Sequence, residues 1–266
     1  MSGVLDAILL KKHDEIRALR AKPCPKPVLG RPRGGLVRNV LRREPGTALH
    51  LIAEIKRRSP SAGPLSTALS VDERAIAYAR AGARMISVLC DETFFDGGYE
   101  HLAQARTALK ALGFETPLLA KEFILDARQL EEAVAFGADA ALLIARIVDR
   151  PTLSDLIATA RRLGLEPLVE VATEAELSDA LSVGASLIGV NARDLDSLAM
   201  NAPRAAGILA QIPEGALAVH LSGLRSPEDV APVARSRADA ALVGEALMRM
   251  DDPAPLLLSM GSAASG

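Results

Sequence analysis

The chain has 266 residues; 49% are hydrophobic, only 3% are aromatic, and none is Trp. A core drawn from Ala, Leu, Val and Ile excludes a small disulfide-stapled or disordered protein and favours an α/β architecture of closely packed helices and short strands. Thirty-one basic side chains against 33 acidic ones leave a net charge of −2, which excludes the basic footprint that nucleic acid or an anionic membrane requires, so any anion must be held locally.

From the N-terminus, Val4–Arg20 predicts an amphipathic helix, because Leu5, Ile8, Leu9, Ile16 and Leu19 fall mostly at helical spacing. Asp6 interrupts the start too early for a secretory apolar segment, and nowhere do about 18 apolar residues run together without charge, so a soluble, unprocessed, cytoplasmic protein is expected. Cys24 and Cys90 match no disulfide framework or zinc spacing, which fits a reducing compartment. Residues 22–35 hold four prolines and three glycines among basic residues. They read either as a solvated linker or as a flap covering an anionic ligand. Residues 1–48, a helix and basic flap, are thus expected to precede a barrel over 49–266, all as one structural domain.

From residue 49 onward, short apolar runs of strand length alternate eight times with helix-period segments, which predicts a (β/α)8 barrel with an N-terminal helical extension. Strands are expected at 49–56, 84–91, 117–123, 140–146, 167–171, 187–193, 217–223 and 240–244. The clearest helices fall at 72–81, 126–136, 152–163, 173–183 and 227–235, the last with Ser226, Pro227 and Asp229 set for N-capping. An internal echo supports the repeat: Gly82, Gly137 and Gly184 each sit just before an apolar strand, as does the related Ser-Arg-Ala-Asp at 236–239. Such a glycine suits the left-handed residue that ends a helix. An open doubly wound sheet is the competing architecture, but no Gly-rich dinucleotide turn follows the first strand.

In a closed barrel, function sits where the C-terminal ends of the strands converge. The period of two puts Glu54 and Lys56 on one face of the first strand, and Asn191 and Arg193 on one face of the sixth. Lys121 ends the third and Glu170 the fifth. Six such groups at one mouth are costly to assemble for stability alone, and mixed lysines and carboxylates in a partly dry cleft suit proton transfer. The seventh strand ends Leu221-Ser222-Gly223 and the eighth runs Val243-Gly244-Glu245, where glycines let backbone N–H groups approach a phosphate. His13, His50, His101 and His220 show no ligand spacing with one another or with Cys24 and Cys90 and read as surface or helix residues, so no metal site is expected. No nucleophile elbow and no phosphate loop of the nucleotide-triphosphate type is present in the sequence.

Over about residues 49–250 the chain resembles the indole-3-glycerol phosphate synthase family. The resemblance rests on Ala53-Glu54-Ile55-Lys56-Arg57-Arg58-Ser59-Pro60-Ser61, Ser87-Val88-Leu89-Cys90-Asp91, Phe94-Phe95-Asp96-Gly97-Gly98, Lys121-Glu122-Phe123, Ile188-Gly189-Val190-Asn191-Ala192-Arg193-Asp194-Leu195 and Gly244-Glu245-Ala246-Leu247-Met248, which occur in the family's order. It implies a cofactor-free enzyme that takes 1-(2-carboxyphenylamino)-1-deoxyribulose 5-phosphate, joins the aromatic ring to the sugar carbonyl carbon, then loses carbon dioxide and water. By the same resemblance Lys121 is a general acid, Glu170 and Lys56 serve later proton transfers, and Glu54 orients Lys56. Asn191 and Arg193 would hold polar groups of the substrate. Ser59, Pro60 and Phe95 belong to the binding set, and Ser59, Ser222, Gly223, Gly244 and Glu245 would cradle the phosphate, Glu245 through its backbone N–H.

The departures from the family pattern are Leu221 where most members carry Glu, Glu122 for Asp, Cys90 for Thr, Ala172 for His and Ala192 for Asn. Only Leu221 falls at a position expected to meet substrate. It keeps other readings open: another phosphosugar barrel such as a phosphoribosyl isomerase, a specialised indole pathway, or a non-catalytic paralogue. The two-lysine, two-glutamate set argues against the isomerase. With no coiled coil or extra interface segment visible, the expected state is a monomer whose partner is the sugar-phosphate substrate.

Overall fold

The computed structural model of the chain describes residues 3–23, 26, 29–30, 32–60, 62–194 and 199–265. Cys24, and the Ser61 and Leu195 of the motifs above, lie outside the described residues. Eight parallel strands close into a barrel: β1 (His50–Ile55), β2 (Met85–Leu89), β3 (Leu118–Lys121), β4 (Ala140–Ile144), β5 (Glu166–Val171), β6 (Leu187–Asn191), β7 (Leu217–Leu221) and β8 (Ala240–Val243). Each pairs with its neighbours in sequence, and β1 closes the ring against β8. The expected strands all appear, most of them shorter by a residue or more at the C-terminal end, where the chain leaves the ladder to form the loops of the mouth.

Period-two patterning divides the core into two shells. Ile52, Met85, Leu119, Leu142, Leu168, Leu187, Val219 and Leu242 fill the barrel interior, whereas Ala53, Ile55, Ile86, Val88, Ala120, Leu143 and Val169 pack outward against the helices. The outer helices are α3 (Val71–Arg80), α5 (Tyr99–Ala111), α6 (Ala127–Ala135), α7 (Arg150–Arg162), α8 (Glu174–Ser182), α9 (Ala202–Ala210), α10 (Pro227–Ala234) and α12 (Ala254–Ala263). Gly82, Gly137 and Gly184 have φ of +87°, +92° and +80°, the left-handed helix exit that the echo predicts. The aspartates of that echo also tie the repeat together: Asp139 Oδ2 accepts from Leu118 N at 3.0 Å and Asp239 Oδ2 from Ala218 N at 2.8 Å, each bridging to the start of the preceding strand.

Two helices close the ends. α1 (Val4–Arg20) follows the predicted span, while α2 (Gly34–Leu41) forms where the sequence pattern suggested loop and no further element. Val37 and Leu41 are fully buried against the barrel interior, so tertiary packing stabilises an eight-residue helix that its own propensity does not specify. Ser226 makes no side-chain cap, contrary to the expectation for α10; Asp229 instead accepts from Arg225 N at 2.9 Å. His50 and His220 are strand residues rather than surface or helix ones, and His220 is buried at the end of β7, with Nε2 3.0 Å from the carbonyl of Ser222. Among the described residues no helix is long and apolar enough to cross a membrane.

Candidate active site

A cavity of about 630 Å³ opens at the C-terminal mouth of the barrel. Every residue expected there reaches it: Glu54, Lys56, Ser59, Pro60, Phe95, Lys121, Glu170, Asn191, Arg193, Ser222, Gly223, Gly244 and Glu245 all contribute to its wall. Such a volume accommodates a drug-sized ligand. A shallower crevice of about 350 Å³ at the opposite end, bordered by Thr47, His50, Gly82 and Arg84, gathers no comparable set of acids and bases.

Strand ends supply the polar half of the wall. Lys56 Nζ lies 2.8 Å from Glu54 Oε1 in the pair that the period of two implied. Burial alone raises the Glu54 carboxyl; the charges of Lys56 and Lys121, with the Lys56 hydrogen bond, outweigh it and hold the group below the ordinary carboxylate value. Glu54 is therefore a persistent anion that fixes Lys56 rather than a proton donor. Gly244 makes this possible, since a Cβ at that position would stand 2.5 Å from Glu54 Oε1.

Glu170 is held differently. Asn191 Nδ2 donates to its Oε1 at 2.8 Å, and Asn191 Oδ1 accepts from Arg193 N at 2.9 Å, so one amide links β5 to the turn after β6. The other oxygen, Oε2, is buried without a hydrogen-bond partner and lies 4.0 Å from Lys121 Nζ. A buried, unbonded carboxylate oxygen is costly for folding, and this one borders the cavity, open to a ligand. Lys121, three-quarters enclosed, stands between the two carboxylates, 4.0 Å from one and lowering the pKa of the other.

The loops after β7 and β8 fit an anion. Ser222 and Gly223 are successive left-handed residues (φ +71° and +93°), and the four-residue helix α11 (Glu245–Met248) begins directly after Gly244. The Glu245 side chain turns away to Arg249, with Oε1 2.8 Å from the guanidinium, which leaves its backbone N–H as the group available to a ligand.

Several wall residues were not singled out in the sequence: Val4, Leu5 and Ile8 of α1, together with Phe123, Leu142, Ile144, Leu242 and Arg225. The signal for α1 was its apolar stripe, but periodicity cannot say what the stripe covers. The Phe95 and Phe123 rings stand 6.0 Å apart, tilted by 35°, at the rim. Leu221 continues this apolar side and is packed so closely on Gly189 that a Cβ there would lie 2.6 Å from Leu221 Cδ1.

The sequence matches the family model described as indole-3-glycerol phosphate synthase over residues 5–257. The chain belongs to the indole-3-glycerol phosphate synthase family. This is a family of decarboxylating lyases of tryptophan biosynthesis. Its relatives include the indole-3-glycerol phosphate synthase of Mycolicibacterium smegmatis, 41% identical over 90% of this chain and 82% of that protein. That of Aromatoleum aromaticum is 38% identical over 98% of this chain and 99% of its own length. The match to the family model begins inside α1, so the helix that covers the mouth is part of the family's pattern and not an appendage.

Solved structures extend the likeness to the fold alone. Thiamine phosphate pyrophosphorylase from Pyrococcus furiosus superposes with a TM-score of 0.63 at 15% identity, covering 83% of this chain and 98% of its own. Tryptophan synthase subunit alpha from Legionella pneumophila gives 0.60 at 17% identity, covering 86% and 98%.

Proposed function

We propose that this member of the indole-3-glycerol phosphate synthase family is an active synthase that works on 1-(2-carboxyphenylamino)-1-deoxyribulose 5-phosphate without a cofactor, through the residues that line the mouth. The observation that carries the reading is the pairing of Lys121 with an unbonded Glu170 oxygen beside a separately fixed Glu54–Lys56 pair. Two acid–base units in one cleft match a reaction that needs a proton at a carbonyl oxygen and, later, removal of a hydroxyl with an adjacent proton.

Lys121 donates to the sugar carbonyl oxygen as the ring carbon bearing the carboxylate attacks the carbonyl carbon. Breaking the bond to carbon dioxide returns the electron pair to the ring. In the last step the new hydroxyl leaves as water with a proton from a lysine, while Glu170 takes the proton from the neighbouring carbon. Asn191 keeps the Glu170 oxygen aimed into the cavity, and Arg193 offers a planar donor fork for the substrate carboxylate. Ser59, Ser222, Gly223, Gly244 and the backbone of Glu245 receive the phosphate, and Phe95 with Phe123 flanks the aromatic ring. A monomeric, cytoplasmic protein completes the reading; among the described residues the exposed large apolar side chains Leu10, Leu112, Met200, Met250 and Leu258 come from separate segments of the chain.

The test mixes purified protein, without added metal, with the carboxyphenylamino-deoxyribulose phosphate and follows indole fluorescence together with carbon dioxide release. Stoichiometric appearance of both is expected. Tight binding with neither signal would end the synthase reading and favour a changed substrate or lost activity.

Leu221 gives a second, sharper expectation. With 2% of its surface exposed and Gly189 against it, a carboxylate placed there enters an apolar wall. Leu221→Glu is expected to lower stability by about 1–3 kcal/mol in urea denaturation, the usual cost of an unsatisfied buried polar group, without raising kcat/KM. A tenfold gain in kcat/KM would instead mean that the missing carboxylate limits this enzyme.

A further inference from the structure

The stripe by which α1 faces the barrel is Leu5, Ile8, Lys12 and Ile16, so one position in an otherwise apolar series is a lysine, and it is 1% exposed. Its ammonium lies 2.8 Å from Asp91 Oδ2, 3.0 Å from Glu122 Oε1 and 2.6 Å from Glu15 Oε2. The packing of a helix asks for an apolar residue at such a place; a buried ammonium among three carboxylates performs a task that packing does not require.

The two barrel partners place that task beside the chemistry. Glu122 directly follows Lys121, and its Oε1 also accepts from Phe123 N at 2.7 Å. Asp91 caps the short helix α4 (Glu92–Phe95) by accepting from Phe94 N at 2.7 Å, and so sets the loop that carries Phe95. Lys12 thus joins α1, the strand end bearing Lys121 and the loop bearing Phe95. On α1 the cavity-lining Ile8 and Leu5 lie one and two turns upstream on the same face.

The anchoring of α1 is one-sided. Its C-terminal end is held to α6 by the Arg20–Asp126 ion pair and by Arg128, which donates to the carbonyls of Leu19 and Pro23. Among the described residues no hydrogen bond or ion pair ties 3–11 to the barrel, so Lys12 is the last polar tether before the segment that roofs the cavity.

We propose that Lys12 is a positioning residue, which seats the first two turns of α1 as a roof over the substrate cavity and fixes that roof to the elements carrying Lys121 and Phe95. The proposal rests on the synthase reading for its kinetic consequence, not for its structural one. Burial accounts for the strain in the cluster: it drives Glu122 up to about 7 although Lys12 opposes the shift. With Lys12 gone, Asp91 and Glu122 would face each other uncompensated, so the informative variant removes Lys12 together with one of the two carboxylates.

Lys12→Met/Glu122→Gln removes the tether and ends the repulsion between the two carboxylates, leaving Asp91 with its hydrogen bond from Phe94 N. Hydrogen exchange at the amides of 4–11 is expected to speed up at least tenfold while the barrel strands stay protected, and KM for the carboxyphenylamino-deoxyribulose phosphate is expected to rise at least tenfold with a smaller change in kcat. Ile16→Ala, on the same stripe but away from the cavity, is expected to lower Tm with KM unchanged, which separates a general loss of helix packing from loss of the roof. A folded double variant whose 4–11 amides exchange as slowly as in the unaltered protein would overturn the proposal, as would unchanged KM. Absence of turnover in the unaltered protein would strike at the synthase reading alone, because the exchange measurement does not depend on activity.

Discussion

Lys121→Met is expected to lower kcat by about three orders of magnitude, within the range that a positioned acid contributes, while KM changes only a few-fold. Met keeps the length of the stem and the shape of the cavity wall, but it removes the ammonium, 4.0 Å from Glu170 Oε2, that would donate a proton to the carbonyl oxygen. The Glu54–Lys56 pair survives, at 2.8 Å, and the phosphate cradle lies on other strands, so competitive binding at the phosphate end should persist. Initial rates at saturating substrate, read by indole fluorescence, decide the matter. Turnover within tenfold of the unaltered protein would remove Lys121 from the acid role and transfer it to Lys56, the other lysine on the cavity wall.

Glu170→Gln should separate the steps of the reaction. The amide oxygen still accepts from Asn191, so the local geometry is retained, but the unbonded Oε2 becomes an NH2 that cannot take a proton. If Glu170 removes the proton in the final dehydration, kcat falls by about two to three orders of magnitude, and in the first turnover carbon dioxide is released faster than indole fluorescence appears. Equal suppression of both signals would place Glu170 at ring closure instead. Lys121→Met, by contrast, should hold back both signals together, and the pair of variants therefore orders the two groups along the reaction without reliance on any relative.

The low-identity superpositions are likenesses of the barrel fold alone, and one fold hosts many chemistries. What marks the present site is the mixture of charges at the ends of β1, β3 and β5, with Asn191 at the end of β6. Their side chains meet at the mouth: Lys121 Nζ lies 4.0 Å from Glu170 Oε2, and Asn191 Nδ2 donates to Glu170 Oε1 at 2.8 Å, which ties the ends of β3, β5 and β6 together. Leu221 lies with Leu142, Ile144 and Leu242 on the apolar part of the wall, apart from the Glu54–Lys56 pair and the Lys121–Glu170 pair.

The sequence by itself determined the barrel and most of the mouth. Eight alternations, the left-handed glycines at 82, 137 and 184, and charged residues at strand ends are local or periodic signals, and each depends on nothing more remote than the strand next door. Parallel closure then obliges Glu54, Lys121, Glu170 and Asn191 to converge. Tertiary structure alone decided α2, whose Val37 and Leu41 find their partners in the barrel interior, and it decided the roof formed by Leu5 and Ile8. It also decided that Lys12 is buried. The helical period marks that position as facing inward, but its charge is tolerated only because Asp91 and Glu122, some 80 and 110 residues away along the chain, arrive at the same point. Periodicity reports which face of an element is covered; which distant groups cover it, and whether they carry the charge to balance a buried ammonium, is set by packing.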